Sequence, residues 1–142
     1  MSDFQTVVVG TDGSDSSLRA VDRAGALASK LGATLIVATA YIPAADHSAT
    51  GTYQESGDAR VYAELENAKE RAAAAGATKI QERAIPGSPV EVLVELAEEV
   101  DADLLVVGSV GVNTIAGRLL GSVPTSVLRQ SKVDVLVVHT TD

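Results

Sequence analysis

A chain of 142 residues is expected to form one domain over 1–142, of a size that buries roughly two thirds of the surface its unfolded form exposes. A formal charge of -8 repels nucleic acid and anionic membranes, and aromatic residues at only 3% offer no platform for stacking single-stranded bases, so neither nucleic acid nor membrane is expected as a partner. Without cysteine there is no disulfide framework or thiolate metal site, no signal-peptide pattern precedes the strand-like run at Thr6, and apolar runs such as 104–107 are too short to span a bilayer; the expected location is cytoplasmic.

Runs rich in Val and Leu alternate with helical patterns, which signals βαβ units around a parallel sheet. Strands are expected at 6–11, 34–41, 79–85, 103–108 and 134–140, mostly as the continuous apolar segments of strands covered on both faces. The first helix is expected after Ser14, with Leu18, Val21, Ala24, Ala28 and Leu31 on one face and Gly32 as its stop. Residues 42–58 include Pro43, Gly51 and Gly57, show no period, and read as one long loop, either a functional lid or a plain surface loop. A second helix is expected over 59–75, turning Val61, Leu65, Ala68 and Ala72 inward and ending at Gly76. At the third, Ser88, Pro89 and Glu91 form S-x-x-E with proline at the first helical position, so Ser88 is expected to cap one free N–H and Glu91 another. Val90, Leu93, Leu96, Ala97 and Val100 then face the sheet. A fourth helix over 123–130 follows Ser122 and tolerates Pro124, because first-turn N–H groups have no intrahelical acceptor. The expected fold class is α/β, a single doubly wound, Rossmann-like sheet of five parallel strands in the order 3-2-1-4-5.

Chemistry is expected where the fourth strand ends. Gly108, Gly111 and Gly121-Ser122 form G-x2-G-x9-G-S between that strand and the fourth helix. In a sheet of this order the segment lies near the switch point between the first and fourth strands, where open α/β sheets bind ligands. Glycines there let backbone N–H groups approach phosphate oxygens and can adopt positive φ, and the helix behind Ser122 adds its positive dipole end. The Ser122 hydroxyl can donate to a phosphate oxygen or cap the helix. Gly10-Thr11-Asp12-Gly13-Ser14 ends the first strand at the same sheet edge, and Asp12 can accept from ribose hydroxyls, help hold Mg²⁺ through water, or serve as a turn and capping residue. Since a carboxylate beside a phosphate is unfavourable, Asp12 belongs at the sugar end. Other signatures are missing. Gly117 and Gly121 lack the lysine of a Walker A loop, Gly10 and Gly13 do not make G-x-G-x-x-G, and 108–111 is one residue short of G-x-S-x-G. His47 and His139 are too far apart in sequence to indicate a metal site or triad.

Along essentially its whole length the chain resembles the universal stress protein family. Residues 6–14 look like that family's first strand and turn, 102–108 like its fourth strand, and 108–122 like its ATP-binding motif, with Leu119-Leu120-Gly121-Ser122-Val123 a particularly close match. The resemblance implies adenine against Thr11, Asp12 and Ala40, and phosphates over Gly108, Gly111, Gly121 and Ser122. Where many family members carry Arg or Lys after the second glycine this chain has Val112, and Arg118 is the only cation left in the loop. Less positive charge favours a ligand with one phosphate over a triphosphate. The resemblance therefore implies ATP, with Mg²⁺, or cyclic AMP, which is associated with some actinobacterial members; the small run Ala38-Thr39-Ala40-Tyr41 leaves space for an adenine. It also implies a homodimer through the apolar last strand, whose exposed edge needs a partner.

The expected function is thus an adenine nucleotide-binding regulatory or stress-response module that is not an enzyme. The alternatives are a slow nucleotide hydrolase or nucleotidyl transferase, for which only Asp12 and Arg118 offer machinery, and an interaction scaffold with a vestigial glycine loop. A phosphoacceptor receiver domain is disfavoured, since no acidic pair stands beside Asp12 and no lysine follows the fifth strand.

Overall fold

A computed structural model of the chain describes residues 4–43, 51–109 and 121–140, the side chains of 51–58 excepted. Within them strands and helices alternate: β1 (Thr6–Gly10), α1 (Asp15–Leu31), β2 (Thr34–Tyr41), α2 (Gly51–Ala74), β3 (Ile80–Pro86), α3 (Pro89–Glu99), β4 (Leu104–Gly108), α4 (Ser122–Gln130) and β5 (Asp134–Val138). All the pairings are parallel, and the sheet runs β3-β2-β1-β4-β5, the order expected from the sequence.

The period of two along a strand explains why the apolar runs are unbroken. Val7 and Val9 of β1, Leu35 and Val37 of β2 and Val106 of β4 meet Leu18, Val21, Ala24 and Ala28 of α1 and Leu65, Ala68 and Ala72 of α2. Val8, Ile36, Ala38, Leu105 and Val107 pack on the other face, against Leu93, Leu96 and Ala97 of α3 and Val127 of α4. Val7, Val8 and Val9 are each 0% exposed, and burying such a side chain contributes about 1.5–3 kcal/mol. Small residues take the place of aromatics by letting elements approach closely. A Cβ on Gly25 of α1 would stand 2.8 Å from the Ala72 carbonyl oxygen of α2.

Helix α1 is bounded as its sequence indicates. Ser14 Oγ accepts from Ser17 N at 3.2 Å, and Gly32 closes the helix at φ 66 while Ala33 N donates to Ala28 O at 2.9 Å. Elsewhere the boundaries need correction. Helix α2 starts at Gly51, so 51–58, expected as loop, are helical. No apolar period marks that stretch, but once the packed turns around Leu65 exist, each added residue gains a hydrogen bond without a new nucleation step. Residues 44–50 of the same expected loop lie outside the described residues. Ser88 takes the N-cap position of α3 with extended backbone, yet its hydroxyl makes no cap bond, so the expected Ser88 half of the capping box does not form. Pro89 presets the helical φ at the first helical position, so the helix starts without that bond. Helix α4 begins one residue early, at Ser122, with Gly121 as its N-cap, so Ser122 lies inside the helix instead of capping it. β4 starts at Leu104, just after Asp103, whose N donates to Thr6 O at 2.8 Å and whose Oδ2 accepts Gln5 N at 2.7 Å and Thr6 N at 3.0 Å, and β5 stops at Val138, beyond which Thr140 N donates to Ser109 Oγ at 3.1 Å.

Strand order sets where a ligand can enter. The chain steps from β1 outward to β2 and β3, and α3 then carries it back across to β4 on the other side of β1. Helices α1 and α2 thus cover one face and α3 and α4 the other, which leaves a crevice at the carboxyl ends of β1 and β4.

Candidate functional site

That crevice is a cleft of about 230 Å³. Gly10, Thr11 and Asp12 line it at the end of β1, Ala38 and Ala40 from β2, and Val107 and Gly108 from β4. Ser17 of α1, Pro89 and Leu93 of α3, and Val123 and Pro124 of α4 complete the lining. Of the residues singled out in the sequence, Gly10, Thr11, Asp12, Ala40, Gly108 and Val123 therefore come together. Gly121 and Ser122 stand immediately before Val123, and Gly121 N donates to Ser109 O at 2.9 Å, holding the start of α4 against the end of β4. Gly111 and Val112 lie outside the described residues, as do Arg118 and His47.

The β1–α1 turn is held by its own polar groups. Ser17 Oγ donates to Ser14 O at 3.0 Å and accepts Asp12 N at 3.2 Å; its one hydrogen being engaged, the 2.9 Å contact with Thr11 Oγ1 has threonine as donor. Thr11 Oγ1 in turn accepts Gly13 N at 3.1 Å, and Asp12 Oδ1 accepts Ser14 N at 2.9 Å, the local bond that favours aspartate in turns. Burial works against ionising Asp12, but hydrogen bonds from Ser14, from Ser17 and from its own backbone outweigh it and hold the carboxyl below its ordinary range. Asp12 is thus charged at neutral pH.

Among the described residues Asp12 is the only charged side chain lining the cleft. Positive character comes from the backbone instead. The N-caps of α1, α3 and α4, at Ser14, Ser88 and Gly121, all lie at the carboxyl end of the sheet, where helix dipoles present their positive ends. In the first turn of α4 the Ser122 and Val123 N–H groups have no intrahelical acceptor and Pro124 has no N–H at all.

Of the two uses open to the loop glycines, close backbone approach and positive φ, the second is not seen at Gly108 or Gly121: Gly121 has φ -64, and Gly108 is not among the positive-φ residues, whereas Gly13 in the β1–α1 turn reaches φ 84. At Gly10 and Gly108 the role is steric. A Cβ on Gly10 would stand 2.6 Å from Leu93 Cδ1, and one on Gly108 would stand 3.2 Å from Ser16 Oγ. Glycine at Gly10 therefore lets Leu93 lie against the strand end and form the apolar wall of the cleft.

Sequence reasoning missed Ser17, Pro89, Leu93, Val107 and Pro124 as lining residues. Leu93 reads correctly as sheet-facing, but its place over the end of β1 depends on α3 crossing back at the switch point. The available signal was that crossing: the helix leading into β4 must begin over the carboxyl ends of β1 and β2. Ala38, part of the small run expected to leave space for an adenine, lines the cleft as the register partner of Gly10.

Comparison with known proteins agrees with the fold. The model of the Universal stress protein family matches residues 3–139. A universal stress protein of Mycobacterium tuberculosis (strain ATCC 25618 / H37Rv) is 58% identical, over 99% of this chain and 100% of its own. The crystal structure of a universal stress protein in complex with cAMP is 62% identical with a TM-score of 0.81, covering 97% of this chain and 98% of that one. The universal stress protein from Archaeoglobus fulgidus in complex with dAMP, at 23% identity and a TM-score of 0.73 over 94% and 97% of the two chains, shares the fold. With the sheet order, the switch-point cleft and these matches in hand, the chain belongs to the universal stress protein family.

Proposed function

We propose that the cleft binds an adenine nucleotide carrying a single phosphate, cyclic AMP, and that the protein, as one domain, is a stress-associated regulatory module that senses or buffers it. The observation that carries this is the pairing within one cleft of an apolar wall, Ala40 and Leu93, with a glycine edge at Gly108 and the N-terminus of α4. In this reading adenine lies against Thr11 and Ala40 at the ends of β1 and β2, and the ionised Asp12 accepts a ribose hydroxyl. Phosphate oxygens then meet the backbone at Gly108, Gly111, Gly121 and Ser122, flanked by Val112 and Val123. A single phosphate suits a cleft whose positive character, among the described residues, is helix dipole rather than side-chain cation. The 62% identical protein crystallised with cAMP supports the same choice. ATP is the second ligand to test. Its triphosphate brings more negative charge, and an accompanying Mg²⁺ would meet one carboxylate, Asp12, among the described lining residues.

Binding, not turnover, is the proposed activity, since phosphoryl transfer relies on a positioned set of cations and a residue that orients the nucleophile. The protein is proposed to work in the cytoplasm as a homodimer joined at β5. Val135, Leu136 and Val137 are only half-buried there, on an edge strand that a second copy would cover. Among the described residues no helix is long and apolar enough to cross a membrane.

Titration calorimetry with cyclic AMP and with ATP plus Mg²⁺ tests the reading. Cyclic AMP is expected to bind more tightly, and Gly121→Glu, which adds bulk and negative charge at a φ open to any residue, is expected to abolish binding of both. No heat with either nucleotide at millimolar concentration would sink the proposal. Repeated turnover of ATP that Asp12→Ala removes would replace it with a slow hydrolase or nucleotidyl transferase.

A further inference from the structure

Behind the cleft, on the α1 side of the sheet, hydroxyl groups from three separate elements meet. Thr140, just past β5, is 5% exposed, and Ser109, just past β4, is 8% exposed. Ser16 belongs to the first turn of α1. Thr140 Oγ1 is hydrogen bonded to Ser16 Oγ at 2.6 Å and to Ser109 Oγ at 3.3 Å, while Thr140 N donates to Ser109 Oγ at 3.1 Å. Arg19 Nη1 donates to Thr140 O at 2.9 Å. The Ser109 backbone joins the same network, its N donating to Val138 O at 2.8 Å and its O accepting Gly121 N at 2.9 Å. Ser109 therefore links the exit of β5 to the N-cap of α4.

These hydroxyls stand outside the cleft lining, yet they press on it. The ideal Cβ position of Gly108, which does line the cleft, is 3.2 Å from Ser16 Oγ and 3.4 Å from Thr140 Cγ2. Packing alone does not call for polar groups at this depth. Buried hydroxyls lower stability unless paired, and valine would fill the space of Thr140 equally well. What paired hydroxyls add is direction: they fix the orientation of the backbone they bond, where apolar contacts fix only its distance. Here the backbone group they bond is Thr140 N, which donates to the hydroxyl of Ser109, the residue that follows Gly108 and whose carbonyl accepts Gly121 N.

We propose that Ser109, Thr140 and Ser16 are positioning residues for the phosphate end of the site, their network holding the Ser109–Gly121 bond so that the first turn of α4 faces Gly108 and receives a phosphate. The proposal rests on the nucleotide-binding reading above. It makes affinity for a phosphate depend on side chains that never touch the ligand, and leaves the base and sugar contacts at Thr11, Asp12 and Ala40 independent of them.

The test compares wild type, Thr140→Val and Thr140→Ser in two measurements: calorimetric titration with cyclic AMP and with adenosine, and hydrogen–deuterium exchange of the Gly121 amide in nucleotide-free protein. Thr140→Val is expected to weaken cyclic AMP about tenfold, as loss of a positioning hydrogen bond implies, while leaving adenosine within about twofold. It should also speed exchange at Gly121, and Thr140→Ser, which keeps the hydroxyl, should restore both. Cyclic AMP binding unchanged in Thr140→Val, adenosine weakening in step with it, or unchanged Gly121 exchange would each overturn the network's role while leaving nucleotide binding intact. Wild-type protein that binds neither ligand overturns the nucleotide reading itself, and this proposal with it.

Discussion

The two ends of the sheet each hold an aspartate that accepts backbone N–H groups, and each holds glycines, but to different effect. At the amino end Asp103 Oδ2 takes both Gln5 N and Thr6 N, so a residue preceding β4 fastens the start of β1. At the carboxyl end Asp12 Oδ1 takes Ser14 N within its own turn and the carboxylate stays exposed beside the cleft. Glycine serves backbone conformation at both ends, Gly32 at φ 66 and Gly13 at φ 84, whereas at the carboxyl end Gly10 also serves the close approach of Leu93. One end thus closes the sheet and the other leaves room for a ligand. Residue type alone does not separate the two uses; the partner of each polar group does.

Asp103→Ala gives the largest expected effect and should fall on stability alone. Gln5 and Thr6 N–H lose their acceptor, which should lower unfolding free energy by about 2 kcal/mol in urea titration while cyclic AMP affinity stays within about twofold of wild type. A variant that kept its stability and lost the nucleotide would erase the contrast between the ends. Gly10→Ala should do the reverse. Its Cβ displaces Leu93, packed behind by core residues, toward the cleft, so cyclic AMP should bind about tenfold more weakly by calorimetry with a stability loss of only about 1 kcal/mol. Undiminished affinity would mean that Leu93 does not form the ligand wall.

The smallest effect is a pH dependence. The Asp12 carboxyl is held below its ordinary range in the folded protein, so on acidification the unfolded chain takes up the proton first. The stability contributed by ionised Asp12 is complete above the unfolded carboxylate value and is lost as pH falls through the folded one. Melting temperatures followed from neutral to about pH 3 should fall further for wild type than for Asp12→Asn. Parallel acid limbs would remove Asp12 from the account of acid stability.

Much of the fold was legible because its signals are local. Ser14 and Gly32 bound α1 as their residue types indicate, since caps act within a turn. Ser88 shows the limit: the position was right, but whether a hydroxyl turns toward the helix depends on surroundings that S-x-x-E does not encode. The helical stretch 51–58 was illegible for a related reason, because it extends an existing helix and carries no apolar face to read. Within the site, Gly10, Thr11, Asp12, Ala40, Gly108 and Val123 were found from strand ends and family resemblance, and Leu93 was not, because its place over Gly10 is made across the sheet.

By itself the sequence determined the alternation of strand and helix, the burial of β1 on both faces and the end of the sheet at which a ligand could sit. Each follows from short-range periodicity and from the rule that a continuous apolar strand must be covered twice. Only the tertiary structure decided which α3 side chains wall the cleft, and that Ser16, Ser109 and Thr140 meet behind it. Those contacts join residues separated by as many as 124 positions, through a strand order and register that bring distant turns to one edge. A hydroxyl's bonding partner at that range is set by the packing of whole elements, and no local pattern in the chain records it.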